Sequence, residues 1–469
     1  MTALLFAVHP IHVEAVAWIT SRKELMFTFF SLLSIIFYTD YTEKRKKVIY
    51  YFLVLFCTTL ALLSKIQAVS LPFIFLLIDY LKGKSLKTRT LVGKVPFFLL
   101  CIFFGWLNIN AQNIFGLITY GYHFSSPEKA FLLIYSVSGY FIKILFPYPL
   151  SVFYPFPFKP GGSIPLVSVL GPGLLIVGSA FFLFLNRKDK RPVIFGLLFF
   201  LINISIVVFI SFNRDYVMAD RYAYISSAGI LFTIAVIADD HIRYHNKNHR
   251  AGTALFLICI AVLSLMTFQR NKLWKDPELL FRNALSSYNN SEIILNTLAT
   301  QEIESGKYED AIVHLNKAIM ISPVYIQAFL NRGLAHGKTG DFIASVNDLS
   351  FAIKISPTYY EAWFARGNAY MKLNDLKQAY DDFTMVIHLN RYHFGALQNR
   401  AIVRGNMGDF AGAIEDLNAA ISLNPGFAAS YYLRGIALFN TGGNGCTDLN
   451  KAMLMGYQDA LRAIEYYCK

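Results

Sequence analysis

The densest run of side chains able to do chemistry is residues 9–24, HPIHVEAVAWITSRKE, where His9, His12 and Glu14 are followed by Arg22 and Lys23 inside an otherwise apolar stretch. A second cluster runs from Asn213-Arg214-Asp215 through MADRYAY, which holds Asp220, Arg221, Tyr222 and Tyr224, and Lys65 stands between two apolar runs. Carboxylates set among cations and imidazoles suit a lipid phosphate and a hydroxyl acceptor. The cations Lys65, Arg22 and Arg221 hold phosphate oxygens, a carboxylate (Glu14 or Asp220) takes the acceptor proton, and His9, His12, Tyr222 and Tyr224 line the substrates. His-x-x-His-x-Glu does not put three ligands on one helical face, so no metal and no other cofactor is expected. Each residue also has a structural reading. Pro10 fits a helix start, Glu14 favours the positive end of that helix, Lys65 snorkels, and Asp215 or Asp220 pairs with Arg221.

The elements that position these clusters are apolar. The 469-residue chain is 55% hydrophobic with mean hydropathy +0.43, too greasy for an ordinary soluble protein. Runs long enough to cross a hydrocarbon core of about 30 Å cover 25–41, 48–64, 66–81, 94–111, 166–185, 192–212, 225–238 and 252–268. The stretch 131–146 contains Gly139 and Lys143 and reads as interfacial or re-entrant. Residues 1–268 hold 24 Lys and Arg against 11 Asp and Glu, and residues 269–469 hold 19 of each, so the net charge of +13 belongs to the apolar part. That excess lies mostly in loops 44–47, 82–94, 187–191 and 243–250, which the positive-inside bias places in the cytoplasm. Segments 9–22, 64–66, 112–165 and 213–224, and everything after residue 268, then face the other side. A neutral C-terminal part gives no reason to expect nucleic acid. Met1 opens in the tail of an apolar segment with no cleavable signal, so the chain is expected to begin mid-domain.

Beyond residue 268 the punctuation recurs every 34 positions. Pro323, Pro357 and Pro425 share one frame position, with Arg391 in the missing place. Small residues align at Ala299, Gly333, Gly367, Ala401 and Gly435, and turn residues at Gly306, Gly340, Asn374, Gly408 and Gly442. This is the tetratricopeptide pattern, in which helix pairs stack to bury a continuous core and leave a groove for a protein or peptide partner. The expected organisation is all-α: a polytopic membrane domain over 1–268, a linker helix over 269–291, about five repeats over 292–455 and a capping helix over 456–469. Asn331, Arg332, Arg366, Asn368, Asn399, Arg400 and Arg434 form either a polar binding ladder in the groove or a solvated face. Cys446 and Cys468 bracket the cap and are expected to pair in an oxidising compartment.

Several stretches, in order along the chain, resemble the bacterial relatives of the transmembrane-and-tetratricopeptide-repeat (TMTC-like) O-mannosyltransferases of the C-type (GT-C) glycosyltransferase superfamily. They are LFAVHPIHVEAVAWITSRKEL, SKIQAVSLPFIFLLIDY, KVPFF, KILFPYPLSVFYPFP, MADRYAYISSAG and LWKDPELLFRNAL. The resemblance implies a GT-C-like helical membrane domain, a polyprenyl-phosphate sugar as donor, an extracytoplasmic site and a hydroxyl acceptor such as a protein Ser or Thr. It also implies a bacterial inner membrane with periplasmic repeats. The family's acidic pair in a first outer loop has no counterpart here, and Ile66 and Ser226 depart from its pattern. The alternative is a non-catalytic membrane-anchored scaffold whose repeats assemble periplasmic proteins; a transporter ranks below both, because the charges fall at the ends of the spans.

Overall fold

The computed structural model describes residues 1–43, 47–84, 91–114, 124–165, 178, 189–211, 216–240 and 249–468. The expected span 166–185, the triplet Asn213-Arg214-Asp215 and most of the basic loops 44–47 and 243–250 lie outside the described residues. The chain divides into two compact units, Met1–Asn289 and Asn290–Lys469. Helix Pro277–Ser287, expected to be a linker, therefore folds with the first unit.

The first unit is helical. Among the described residues, three helices are long and apolar enough to cross a membrane, Ile19–Glu43, Arg191–Val208 and Arg250–Leu273, and three shorter apolar helices cover Val48–Ser64, Ile66–Leu81 and Val95–Ala111. Helices Arg22–Glu43 and Lys47–Ser64 pack as a pair, joined inside by a 2.9 Å hydrogen bond between the Ser34 and Thr58 hydroxyls. Helices Arg191–Ser211 and Ser227–Asp240 approach closely because glycines meet at the crossing: a Cβ added at Gly196 would stand 2.5 Å from the Gly229 carbonyl oxygen. The stretch read as interfacial or re-entrant is an unbroken helix, Ser126–Leu145. Its N-terminus is fixed by a capping box between Ser125 and Glu128. Phe131, Leu132, Tyr140 and Ile144 of this helix pack into one core cluster with Phe200, Ile204 and Ile230.

Short helical turns interrupt the long helices where the charged motifs fall. Residues Pro10–His12, Ile19–Ser21, Ile66–Ser70 and Asp220–Ala223 each form a 3-10 turn. Such tight turns direct neighbouring side chains to different sides, and that decides the pairing described below.

The second unit stacks antiparallel helix pairs from Glu292–Glu304 to Ala428–Asn440, followed by Cys446–Leu454 and a last helix, Asp459–Tyr467. Period-34 residues do the local work. Asp341, Asp375 and Asp409 cap the second helices by accepting from the backbone N–H of Ala344, Gln378 and Gly412. The turn residues Gly306, Gly340, Asn374, Gly408 and Gly442 all have positive φ, between 60° and 90°, where a glycine or asparagine is least strained.

Cys446 and Cys468 are joined by a disulfide with a Cα–Cα distance of 5.8 Å, closing a separation of 22 residues around the last helix. A loop of this length predicts that Cys468→Ser or reduction costs the repeat unit about 3 kcal/mol. Denaturant unfolding with and without reductant measures it, and alkylation of both thiols in unreduced protein would rule out the bond.

Candidate functional site

The motif residues of the first unit meet at one end of its helices, where three carboxylates and three cations form a buried network. Glu14 is fully buried. Its Oε1 takes the Arg221 Nη1 donor, and its Oε2 accepts from the Arg221 backbone N–H at 3.2 Å. The Arg221 guanidinium lies among the rings of Trp18, Tyr216 and Tyr222, 4.8–5.4 Å from their centroids, and donates to the Tyr216 hydroxyl at 2.5 Å. Lys65 donates to both oxygens of Glu24, at 2.5 and 2.6 Å, and sits 4.8 Å above the Tyr222 ring. Residues 9–24, Lys65 and 220–224 are thus brought together.

The pairing differs from the sequence expectation. Asp220 does not pair with Arg221: its Oδ2 accepts from Arg270 Nη2 at 2.8 Å and its Oδ1 from the Tyr154 hydroxyl at 2.6 Å. Adjacent residues in a 3-10 turn point apart, so Arg221 goes to Glu14 and Asp220 to the end of helix His249–Leu273. Arg270, Glu24, Tyr154, Trp18 and Tyr216 were not singled out from the sequence. The available signal was weak: Arg270 is the first charge after the apolar run 252–268, and Glu24 ends the same motif as Arg22 and Lys23. Arg22 and Lys23 are exposed beside the network.

The two histidines hold backbone together. His9 accepts from the Ile11 N–H at Nδ1, so its Nε2 donates to the Ile144 carbonyl at 2.9 Å. His12 Nδ1 donates to the Phe6 carbonyl at 2.7 Å, and its Nε2 accepts from the Ser227 hydroxyl at 2.8 Å. Burial keeps both rings neutral, pushing His9 down to about 4 and His12 to about 3. Tyr224 stacks edge-on against Phe6 and His12.

Burial also pushes the Glu14 and Asp220 carboxyls upward, with Arg221 and Arg270 respectively pulling the other way, and lowers Lys65 to about 8 against the pull of Glu24. Every oxygen of Glu14, Glu24 and Asp220 accepts a hydrogen bond. The three pairs are mutually neutral, so an incoming anion competes with a carboxylate for its cation. Neither Glu14, Lys65 nor Asp220 lines the cavity beside this network, which Arg270 does line. The network is thus a packed ion-pair core, and the cavity next to it reaches it through Arg270.

In the repeats, four arginines of the proposed ladder have partners inside the solenoid. Arg332, Arg366, Arg400 and Arg434 fork onto Asp348, Asp382, Asp416 and Asp448 at 2.6–2.9 Å. Their Nη1 donors reach Asn316, Ser350, Thr384 and Asn418 of the preceding second helices. Asn331 bonds to Asn296, and Asn399 to Asn368. These residues join consecutive repeats and keep a partly exposed edge.

Sequence-family models agree with this geometry: "TPR repeat" matches residues 301–340 and "Tetratricopeptide repeat" matches 360–393 and 399–443. The second unit is a tetratricopeptide-repeat solenoid. Repeats of this kind are protein- and peptide-binding modules. The chain is similar to a protein O-mannosyl-transferase of Caenorhabditis elegans, 26% identical over 69% of this chain and 46% of that protein. It is also similar to the human protein O-mannosyl-transferase TMTC3, 23% identical over 71% of this chain and 40% of that protein. A Drosophila melanogaster relative, protein O-mannosyl-transferase Tmtc1, is 31% identical over 26% of this chain and 14% of its own length. The chain spans less than half the length of these curated relatives. Among solved structures, the MamA protein aligns with 37% of this chain and 92% of its own at 23% identity and a TM-score of 0.32. YrrB, described as a TPR protein with an unusual peptide-binding site, aligns with 39% and 97% at 18% identity and a TM-score of 0.36.

Removing one partner of a buried pair strands the other charge. Arg221→Ala is expected to destabilise the first unit by about 3–5 kcal/mol, and adding Glu14→Gln should recover most of that loss. Thermal unfolding in detergent measures the cycle, and additive losses would show that the two side chains do not interact.

Proposed function

We propose that this chain is a membrane glycosyltransferase of the GT-C type, transferring a sugar from a polyprenyl-phosphate donor to a hydroxyl acceptor. Its relatives are named protein O-mannosyl-transferases, which supports mannose as the sugar and a protein hydroxyl as the acceptor. The observation that carries the reading is the gathering of the polar motifs of residues 9–24, Lys65 and 220–224 at one end of an apolar helical unit, in a chain similar to O-mannosyl-transferases. On the positive-inside reading this end is extracytoplasmic, in a bacterial inner membrane, with the repeats in the periplasm recruiting the acceptor protein.

Donor phosphate enters at the exposed edge formed by Arg22 and Lys23 and draws Lys65 away from Glu24. Lys65 and Arg221 then neutralise the oxygens that gain charge as the sugar–phosphate bond breaks. The acceptor hydroxyl attacks the anomeric carbon and passes its proton to a carboxylate. Asp220 is the candidate base, because burial raises its proton affinity and Arg270 with Tyr154 fix its orientation. Glu14 holds the Arg221 fork in place.

Reconstituted full-length chain, given a polyprenyl-phosphate mannose and a Ser/Thr-rich peptide, should yield mannosylated peptide. Lys65→Met and Asp220→Asn should each lower the rate by about 10²-fold or more, measured on protein that circular dichroism shows to be still folded, since each variant also strands a buried charge. Absence of transfer with every lipid-linked sugar, while the repeats still retain periplasmic proteins, would favour the scaffold.

A further inference from the structure

We propose that the cavity beside Arg270 binds a single sugar ring, an assignment that rests on the glycosyl-transfer reading and gives it a specific subsite. The cavity measures about 280 Å³ and lies between the turn at Pro10, the loop around Pro149, the end of helix His249–Leu273 and helix Pro277–Ser287. That volume is at the lower edge of the roughly 300–1,000 Å³ occupied by drug-sized ligands, a size suited to one ring.

The lining has the chemistry of carbohydrate recognition. Gln269 and Asn283 offer amides that both donate and accept, as ring hydroxyls require, and Ser286 offers a hydroxyl oxygen. Asn283 and Ser286 stand three residues apart and so share one face of their helix. The Ser286 hydroxyl donates to the Asn283 carbonyl at 2.7 Å, leaving its oxygen to accept. Tyr148, 80% exposed, offers a ring face for the C–H side of a sugar.

The second observation is Arg270 itself. It is 8% exposed and lines the cavity, with Nη1 on the Leu150 carbonyl and Nη2 on Asp220, while its buried Nε has no hydrogen-bond partner. Arg270 thereby ties the wall of the cavity to the carboxylate of Asp220. The motifs KILFPYPLSVFYPFP and LWKDPELLFRNAL both contribute to the cavity's lining, through Tyr148 and Asn283. The sugar comes either from the phosphate-linked donor or from a glycan already on the acceptor.

Full-length chain in nanodiscs, titrated with methyl α-mannoside, mannose 1-phosphate and inorganic phosphate by calorimetry, tests the assignment. The glycoside should bind, and Ser286→Trp, which fills the cavity from an exposed helix position, should weaken it at least tenfold, as should the smaller Asn283→Leu. Tighter binding of mannose 1-phosphate than of the glycoside assigns the ring to the donor, and equal binding assigns it to a glycan on the acceptor. No glycoside binding, phosphate binding alone, or binding indifferent to both variants overturns the subsite. Transfer that continues with unaltered sugar affinity in both variants sinks the subsite alone, whereas sugar binding sensitive to both variants without any transfer sinks the glycosyl-transfer reading alone.

Discussion

A carboxylate in an apolar helical core survives only with a cation held against it, and this constraint organises the first unit. Glu14 with Arg221, Asp220 with Arg270 and Glu24 with Lys65 tie the N-terminal turns, the 220–223 turn and the ends of three helices to one another. Buried ion pairs are poor sources of net stability, since well-packed apolar side chains of similar size often do as well or better. The surrounding cluster, from Leu5 and Ile11 to Tyr222 and Leu231, already supplies an apolar core. On the proposed reading the charges are kept because an anionic donor exchanges with a carboxylate for the same cation, a function an apolar core cannot perform.

The repeats use the same arginine–carboxylate chemistry for a different end. A bidentate fork fixes both partners in one plane, and repeating it at Arg332, Arg366, Arg400 and Arg434 locks the two helices of each pair, while the Nη1 donors of the same arginines reach back to the preceding pair. Recognition of a protein partner then falls to the exposed edges of this ladder and to side chains around it. The nearly equal numbers of acidic and basic residues in this unit leave shape and hydrogen bonding, rather than net charge, to select the partner.

The solenoid was legible in the sequence because its signals are local and recur. A glycine or asparagine at each turn acts within a few residues of itself; the aspartates that cap three of the second helices, Asp341, Asp375 and Asp409, are equally local but were not singled out from the sequence. The meeting of residues 9–24, Lys65 and 220–224 was legible through charge placed at the ends of apolar runs. Which charge meets which was not. Asp220 and Arg221 are neighbours in sequence and read as a pair, yet the tight turn sends them to helices separated by more than two hundred residues of chain. Arg270 fell inside the expected linker 269–291 because the apolar run ends at residue 268, although its helix continues to Leu273. The stretch 131–146, not read as a crossing, lies in helix Ser126–Leu145, which is absent from the candidate spans among the described residues; its Gly139 provides close approach to Met218.

Membrane sidedness underlies the functional reading, since a polyprenyl-phosphate donor used in the periplasm requires the ion-pair network on that face. Single cysteines replacing exposed Lys23 and exposed Lys84, in full-length chain carrying Cys259→Ser, can be probed in intact cells with a membrane-impermeant maleimide. Lys23→Cys should label in intact cells and Lys84→Cys only after permeabilisation. The reverse pattern would put the network in the cytoplasm and contradict extracytoplasmic sugar transfer.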